Sequence, residues 1–193
     1  MLITSDFEVA QPLEKVWKFF DDIPQVAACL PGAELTDEVG EGKYLGKVAI
    51  RMGPVKLAFA GKADIVERDD ANHKIVVDAA GADEKGRGQA SMNVTANLVS
   101  TPRGTKVAVL QDLQLSGAAA QYGRGMISDV TSILMRDFAT NMQHRIEAIE
   151  KGLDPDQVGG AKPASGFAIA MRATRLALAR VLRRFFAPYQ PAN

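Results

Sequence analysis

The sequence is poor in the residues that build disulfides, metal sites and catalytic centres. Its one cysteine, Cys29, excludes a disulfide within the chain and fits a reducing compartment. Its two histidines, His73 and His144, fall in a predicted turn and on the polar side of a predicted helix, without metal-ligand spacing to cysteines or acids. The glycines around Arg124 follow small residues and no strand, so they are not a dinucleotide fingerprint. No metal or catalytic site is predicted.

Acidic residues are absent from the last 33 positions, which carry six basic residues. The whole chain has 23 basic and 23 acidic residues, so residues 1–160 keep 17 basic residues against all 23 acids. An acidic body with a basic end is expected to bind an anionic surface through that end. Nothing near Met1 resembles a secretion signal, because Asp6 precedes any long apolar run, and a cytoplasmic protein is expected.

The basic end has the pattern of an amphipathic helix over residues 166–187, with most large apolar side chains on one side and arginines on the other. Five arginines would cost about 12–17 kcal/mol at the centre of a bilayer, whereas each gains about 1 kcal/mol beside an anionic leaflet. We therefore predict peripheral attachment to the inner face of the cell membrane. The predicted membrane-binding residues are Phe167, Met171, Arg172, Arg175, Leu178, Arg180, Leu182, Arg183, Arg184 and Phe185.

Protein and nucleic acid are the two other kinds of partner that this helix could bind. A helix of this kind can dock on its own domain or on a partner protein, and that alternative stays open. Nucleic acid is not expected, because the body is acidic and no nucleic-acid-binding module is recognisable.

The body, residues 1–151, begins with a strand at residues 2–10. Pro12 then opens a helix that places Val16 and Trp17 on one face. A second short helix follows, which either Asp21 or Asp22 can cap.

About six strand signals then succeed one another with no helix between them. The clearest lies at residues 89–98, where apolar and polar residues alternate strictly. A long helix is predicted from Tyr122 to Lys151, and residues 152–165 have the composition of a flexible linker. This order predicts an α+β helix-grip fold, in which a curved antiparallel sheet wraps around the long helix.

A curved sheet that grips a helix leaves room for a ligand between them. The predicted cavity residues are Phe59, Met92, Val94, Leu98, Val109, Gln111, Met126, Val130, Leu134 and Phe138. Any one methionine or phenylalanine among them could equally fill the core, since such residues at this spacing are commonly core residues. Gln111 interrupts the apolar inward pattern, so either it is bonded to backbone or water, or a bulge turns it outward, or it binds the polar head group of a ligand.

Several motifs resemble known families. The stretch Pro12-Leu-Glu-Lys-Val16-Trp17 is similar to the opening helix of START-like (SRPBCC) ligand-binding domains. Five other stretches resemble the CoxG family, which is named for a subunit of carbon monoxide dehydrogenase. They are Leu30-Pro31-Gly32-Ala33-Glu34, Gly53-Pro54-Val55, Gly81 with Gly86-Arg87-Gly88, Gly117 to Ile127, and Phe138-Ala139-Thr140-Asn141. The resemblance covers roughly residues 1–150, while the basic end is less alike.

This resemblance implies a START-like fold without catalytic activity and without a covalently bound cofactor. It implies as partner a carbon monoxide dehydrogenase or a related molybdenum hydroxylase, recruited to the cytoplasmic membrane. It further implies a quinone or another lipid-like small molecule as the bound ligand. Two alternatives remain: a ligand-free assembly or maturation factor for the same enzyme, and a small START-like enzyme of the cyclase type.

Overall fold

The computed structural model describes residues 1–158 of the chain. Its strands are β1 (Leu2–Val9), β2 (Ala33–Gly40), β3 (Lys43–Met52), β4 (Val55–Asp69), β5 (Lys74–Asp83), β6 (Gln89–Thr101) and β7 (Gly104–Leu115). Its helices are α1 (Leu13–Phe19), α2 (Ile23–Cys29), α3 (Arg124–Glu150) and α4 (Pro155–Val158), with a 3-10 helix over Gly117–Gln121. The predicted order of a strand, two short helices, six strands and a long helix is confirmed.

Within residues 1–158 the seven strands form one antiparallel sheet in the order β1-β7-β6-β5-β4-β3-β2. Strands β2 to β7 follow one another as hairpins, and β1 pairs with β7 at the far edge. Helices α1 and α2 therefore carry the chain from one edge of the sheet to the other. The long helix α3 packs against β1 and α2 and completes the predicted helix-grip fold.

A row of glycines crosses the long middle strands and leaves no room for a side chain where β4 meets β5. Gly46 pairs with Gly61, and Gly61 pairs with Gly81, so the row crosses β3, β4 and β5. A Cβ atom on Gly61 would lie 2.0 Å from the carbonyl oxygen of Ala80 and 2.5 Å from the Cα atom of Gly81. No side chain fits at that distance, and glycines at such positions allow a sheet to curve.

The apolar core lies in clusters at the two ends of the concave face. The larger cluster joins α1, α2 and the C-terminal half of α3 to β1, β5, β6 and β7, through residues such as Val16, Trp17, Leu98, Val107 and Met142. A second cluster at the other end joins the β3–β4 hairpin to the start of α3, through Met52, Leu57, Phe59, Ala119 and Ile127. A small third cluster consists of Val130, Ile133 and Leu134 on α3.

A buried arginine fastens the C-terminal end of α3 to its neighbours. Arg145 is 1% exposed; its Nε donates to Gln25 Oε1 on α2 at 2.8 Å, and its Nη2 pairs with the Asp156 carboxylate on α4. A buried guanidinium needs such partners, since its desolvation is costly. The first part of the predicted linker is therefore structured: residues 155–158 form a helical turn held on α3, so the body extends past residue 151.

Other details also differ from the sequence-based expectations. Helix α3 begins at Arg124, because residues 117–121 form the separate 3-10 helix. Near the end of α3 the large apolar side chain of Ile149 is 49% exposed, while the neighbouring Ala148 is buried. The cap of α2 is Asp22, whose side chain accepts a hydrogen bond from Gln25 N at 3.1 Å.

The predicted amphipathic helix lies outside the described residues. This applies to the whole predicted membrane-binding set, which consists of Phe167, Met171, Arg172, Arg175, Leu178, Arg180, Leu182, Arg183, Arg184 and Phe185. Membrane attachment through these residues stays a prediction.

The turn between β5 and β6 is organised by one buried acid. Asp83 accepts hydrogen bonds from the Arg87 guanidinium at 2.8 and 2.7 Å, and from the backbone N–H groups of Ala58, Lys85 and Arg87. The Arg87 guanidinium and these N–H groups favour the carboxylate and hold the pKa of Asp83 well below its ordinary value, although burial opposes them. The turn is thus stabilised by a charge that persists into acid.

Replacing Gly61 tests the role of the glycine row. We expect Gly61→Ala to lower the free energy of unfolding by about 1–3 kcal/mol, because the new methyl group collides with the Ala80 carbonyl. Gly123→Ala is the matched control, since a Cβ there meets nothing within 4 Å. Urea unfolding of both variants is the measurement, and equal midpoints would show that the strands do not need this close contact.

Replacing Asp83 tests the charge in the β5–β6 turn. The folded-state pKa is depressed, so the stabilisation is fully present above the unfolded-state value of about 3.9 and is lost as pH falls below it. Asp83→Asn should lower Tm at pH 7 and flatten the fall of Tm below about pH 4. Asp37→Asn is the control, because among residues 1–158 the Asp37 carboxylate accepts a hydrogen bond only from the adjacent Glu38 N–H. If the Tm of Asp83→Asn falls below about pH 4 as steeply as that of the unchanged protein, the Asp83 carboxylate is not the charge that stabilises the turn.

Candidate functional site

The middle of the concave face, opposite α3, is where we place the candidate hollow. Ala63, Ala79 and Met92 are paired side by side across β4, β5 and β6 and have the same parity as the buried core residues, yet they are only partly buried. Ala63, Ala79 and the glycine row bring small residues to this part of the sheet, and Met92 adds a longer, flexible side chain. Large side chains fill the two ends, so the space between the clusters is the candidate ligand site.

The predicted cavity residues surround this space from different sides. Leu98 and Val109 belong to the larger cluster, and Val94 and Phe138 pack against it. Phe59 lies in the second cluster, and Val130 and Leu134 form part of the third. Met92 is partly buried between them. Their role as ligand contacts stays a prediction.

Met126 departs from the prediction that it faces the cavity. Its side chain is 42% exposed, whereas Ile127 beside it is buried. The buried stripe of α3 runs through Ile127, Val130 and Leu134, which share one helix face, and Met126 lies about 100° away from Ile127 on that helix. It therefore belongs to the outer surface at the start of α3.

Gln111 points inward, as the alternation of β7 predicts. It is paired with Ile3 on β1 and with Val94 on β6, in ladders without a bulge at this position, and it is 5% exposed. Its amide makes no hydrogen bond to any residue between 1 and 158, so neither an outward bulge nor a bond to the described backbone explains it. The amide atoms are not completely enclosed, because the Ser5 hydroxyl is the one fully buried side-chain polar atom without a partner in the described structure, so water or a ligand can still reach the Gln111 amide.

Ser5 adds a second unsatisfied polar group that the sequence reasoning missed. It lies on β1 opposite Val109, diagonally adjacent to Gln111, and its hydroxyl is buried without a hydrogen-bond partner in the described structure. The signal was present, because Ser5 falls between the inward residues Ile3 and Phe7 in the alternation of β1. Two polar groups without partners thus lie next to each other in an otherwise apolar wall.

An open recess of about 750 Å³ runs between β1 and α3 and reaches Ser5. Its lining includes Phe7 from the sheet and Met135 and Ala139 from the helix. Small-molecule sites commonly occupy roughly 300–1,000 Å³, so this recess is large enough to admit part of a ligand beside Ser5.

One end of the body is tied shut by contacts between three turns, and we call it the closed end. It comprises the β3–β4 turn (residues 53–54), the β5–β6 turn (residues 84–88) and the segment 117–122. Tyr122 Oη donates to the Met52 carbonyl at 3.3 Å, and Arg87 Nη2 donates to the Lys56 carbonyl at 2.8 Å. These three segments contain most of the glycine-rich motifs of the sequence.

The cysteine has no reactive character. Cys29 is completely buried, and burial raises the pKa of its thiol to about 12 against the opposing charge of Arg145. Its backbone carbonyl accepts a hydrogen bond from Asn141 Nδ2 at 2.9 Å, which joins α2 to α3. Cys29 is a packing residue.

Residues 1–158 contain neither a cluster of metal-binding side chains nor a membrane-spanning helix. Nowhere in this range do three or more His, Cys, Asp or Glu side chains gather where they could hold a metal ion. None of the helices in the same range has the length and apolar character needed to span a bilayer.

Solved structures resemble this fold at low sequence identity. A conserved protein from Geobacillus kaustophilus has a TM-score of 0.67 at 21% identity, covering 76% of this chain and 95% of its own. A Thermus thermophilus protein has a TM-score of 0.55 at 13% identity, covering 77% and 99%. A Chromobacterium violaceum protein has a TM-score of 0.51 at 16% identity, covering 74% and 96%. These likenesses establish the fold and nothing beyond it.

The sequence profile of one protein family identifies the chain. No curated protein matches it. Residues 6–147, which include all of the described body except residues 1–5 and 148–158, match the profile of CoxG, a subunit of carbon monoxide dehydrogenase. The motif stretches at residues 30–34, 53–55, 81–88, 117–127 and 138–141 all lie within this match. The chain therefore belongs to the CoxG family of carbon monoxide dehydrogenase subunits.

Proposed function

We propose that this protein is a non-catalytic accessory of a molybdenum hydroxylase of the carbon monoxide dehydrogenase type. It binds a quinone or another lipid-like molecule in the hollow of its body and holds the enzyme at the inner face of the cell membrane. Membership of the CoxG family supports the accessory role. The ligand, the membrane attachment and the lack of catalysis are the parts that this proposal adds.

The unpaired amide of Gln111 is the observation that supports a ligand most directly. The side chain is 5% exposed and its amide has no hydrogen-bond partner within residues 1–158, so a ligand carbonyl can accept its N–H in place of water. The Ser5 hydroxyl beside it offers a second donor or acceptor. A small polar head group bordered by apolar surface is the ligand chemistry that this arrangement fits.

A quinone satisfies these requirements. Its ring carbonyls accept hydrogen bonds, and its isoprenoid chain is apolar and pliable. The half-buried Met92 and Val94 next to Gln111 provide apolar contacts for such a ligand, and the thioether of Met92 can adapt to its shape. The buried charged groups of the described body are already engaged: Asp83 with Arg87, Arg145 with Asp156, and Asp129 with a partner of its own.

The basic end of the sequence supports the membrane part of the proposal. Its arginines alternate with large apolar residues and no acid offsets them. Such a segment gains from both anionic lipid and the acyl boundary. The described body would then be held beside the membrane that contains the lipid-like ligand.

Replacing Gln111 separates a ligand contact from a structural one. Gln111→Leu should not lower Tm, because no described residue bonds this largely buried amide, and it should weaken binding of a short-chain quinone about 2- to 12-fold, through loss of one hydrogen bond. Gln114→Leu, an outward position of the same strand, is the matched control. Calorimetry and quinone titration are the measurements.

The opposite result for Gln111→Leu would count against the ligand. A lower Tm with unchanged quinone affinity would show that the amide stabilises the fold and does not contact the quinone. Lipid extraction and mass spectrometry of the purified protein give a second readout. A hollow that always comes out empty would favour the ligand-free assembly factor.

Neutralising the basic end tests membrane attachment. In the full chain, replacing Arg172, Arg175, Arg180 and Arg183 by Gln should weaken binding to anionic vesicles by several hundred-fold, since each charge contributes about 1 kcal/mol. Rising salt should weaken the unchanged protein in the same direction, because exposed charges are screened. Flotation with phosphatidylglycerol vesicles is the measurement, and phosphatidylcholine vesicles are the control. Equal flotation of both proteins would refute attachment through these arginines.

A further inference from the structure

We propose that the closed end of the body is a second surface for anionic phospholipid, formed by Arg51, Lys56, Lys85 and Arg124 and independent of the basic end of the sequence. We call it the basic turn surface. The inference rests on the proposed membrane function and adds to it a surface that orients the body on the bilayer. Its ligand chemistry is the phosphate of lipid head groups, with the exposed Met126 side chain entering between them.

The fold brings these four cations to one place from separate parts of the chain. Arg51 and Lys56 are cross-strand partners at the tip of the β3–β4 hairpin. Lys85 belongs to the β5–β6 turn, which is tied to that hairpin by the bond from Arg87 Nη2 to the Lys56 carbonyl. Arg124 begins α3, two residues after Tyr122, whose hydroxyl donates to the Met52 carbonyl of the same hairpin.

The positive charge of this surface is not neutralised locally. No ion pair joins any of its four cations to an acid within residues 1–158. The two acids of the β5–β6 turn are already paired: Asp83 with Arg87, and Glu84 with Lys47. The four side chains are all exposed, so they can reach an external anion.

The charge of the rest of the body makes this cluster unusual. Residues 1–160 carry 23 acids against 17 basic residues, so an evenly mixed surface would be acidic everywhere. Nine of the thirteen other basic residues of the described body are in an ion pair with an acid, among them Lys15, Lys62 and Arg103. An unpaired basic cluster on an acidic protein attracts anionic surfaces and fixes orientation.

Apolar exposure at the same end favours a lipid surface over an acidic protein face. Met126 lies one turn or less from Arg124 and is 42% exposed, and Pro54 is exposed at the tip of the hairpin. An exposed, flexible thioether at the same end as long cationic side chains suits the boundary between head groups and acyl chains. In this orientation the end of the hollow that the three turns close faces the leaflet.

A matched pair of charge variants in the full chain tests the surface. The first replaces Arg51, Lys56, Lys85 and Arg124 by Gln. The second replaces Lys18, Lys43, Arg136 and Lys151 by Gln, four cations elsewhere on the body that also lack an ion pair to a described acid. Both variants lose four positive charges, so any difference between them in vesicle binding is due to the positions of the charges that were removed. With phosphatidylglycerol vesicles we expect the first to bind at least about tenfold more weakly than the second, and the gap to narrow as salt rises.

A label on Met126 tests contact directly. Cys29 is buried, so Met126→Cys introduces one accessible thiol for an environment-sensitive dye. Its emission should shift to the blue and be quenched by brominated phosphatidylglycerol. The same dye at Val99→Cys, an exposed position near the opposite end of β6, should do neither.

The possible outcomes separate this inference from the proposed function. If neutralising the tail arginines abolishes binding while the two body variants bind equally, the basic turn surface is refuted and the membrane function stands. If no variant changes vesicle binding, both are refuted. If neither dye responds to vesicles but the label on Met126 responds to the partner enzyme, the surface binds an acidic protein face and the lipid assignment is wrong.

Discussion

The close contact of strands at the glycine row is the constraint on which the other features depend. Where Gly61 meets Ala80 and Gly81, the backbones are too close for any side chain. Without this contact β3, β4 and β5 could not curve, and α3 would lie against a flatter sheet whose larger side chains would fill the space. The same contact leaves the middle of the concave face lined by small residues, while the apolar clusters collect at its ends.

Two kinds of buried polar group in the body need different explanations. Asp83 and Arg145 are charged, almost completely buried and fully engaged, and each joins elements that are distant in the sequence. Gln111 and Ser5 are uncharged and buried, but no described residue pairs with their side chains. Because an unpaired buried group opposes folding, the first kind is explained by stability and the second points to a molecule outside the chain.

The two charged surfaces proposed here have different origins. The basic end is a local property of the sequence, since its arginines follow one another within a short segment. The basic turn surface exists only because two hairpins and the start of α3 are tied together by Tyr122 and Arg87. A body fixed by two contacts to one leaflet has a defined orientation, whereas a body held by a single segment can rotate. Under the proposed function, a defined orientation would keep the same end of the body toward the membrane that contains the ligand.

The sequence by itself determined the order of elements and the contrast between an acidic body and a basic end, because alternation, helical periodicity and composition are local properties. It left open whether Gln111 faces inward, and it assigned Met126 to the cavity although Met126 lies beside the buried stripe of α3. Only the tertiary structure decided that Gln111 points inward beside Ser5, that Arg145 holds residues 155–158, and that the turns carrying four distant cations are tied together. These are contacts between residues far apart in the chain, and their register depends on where strands bend and turns close.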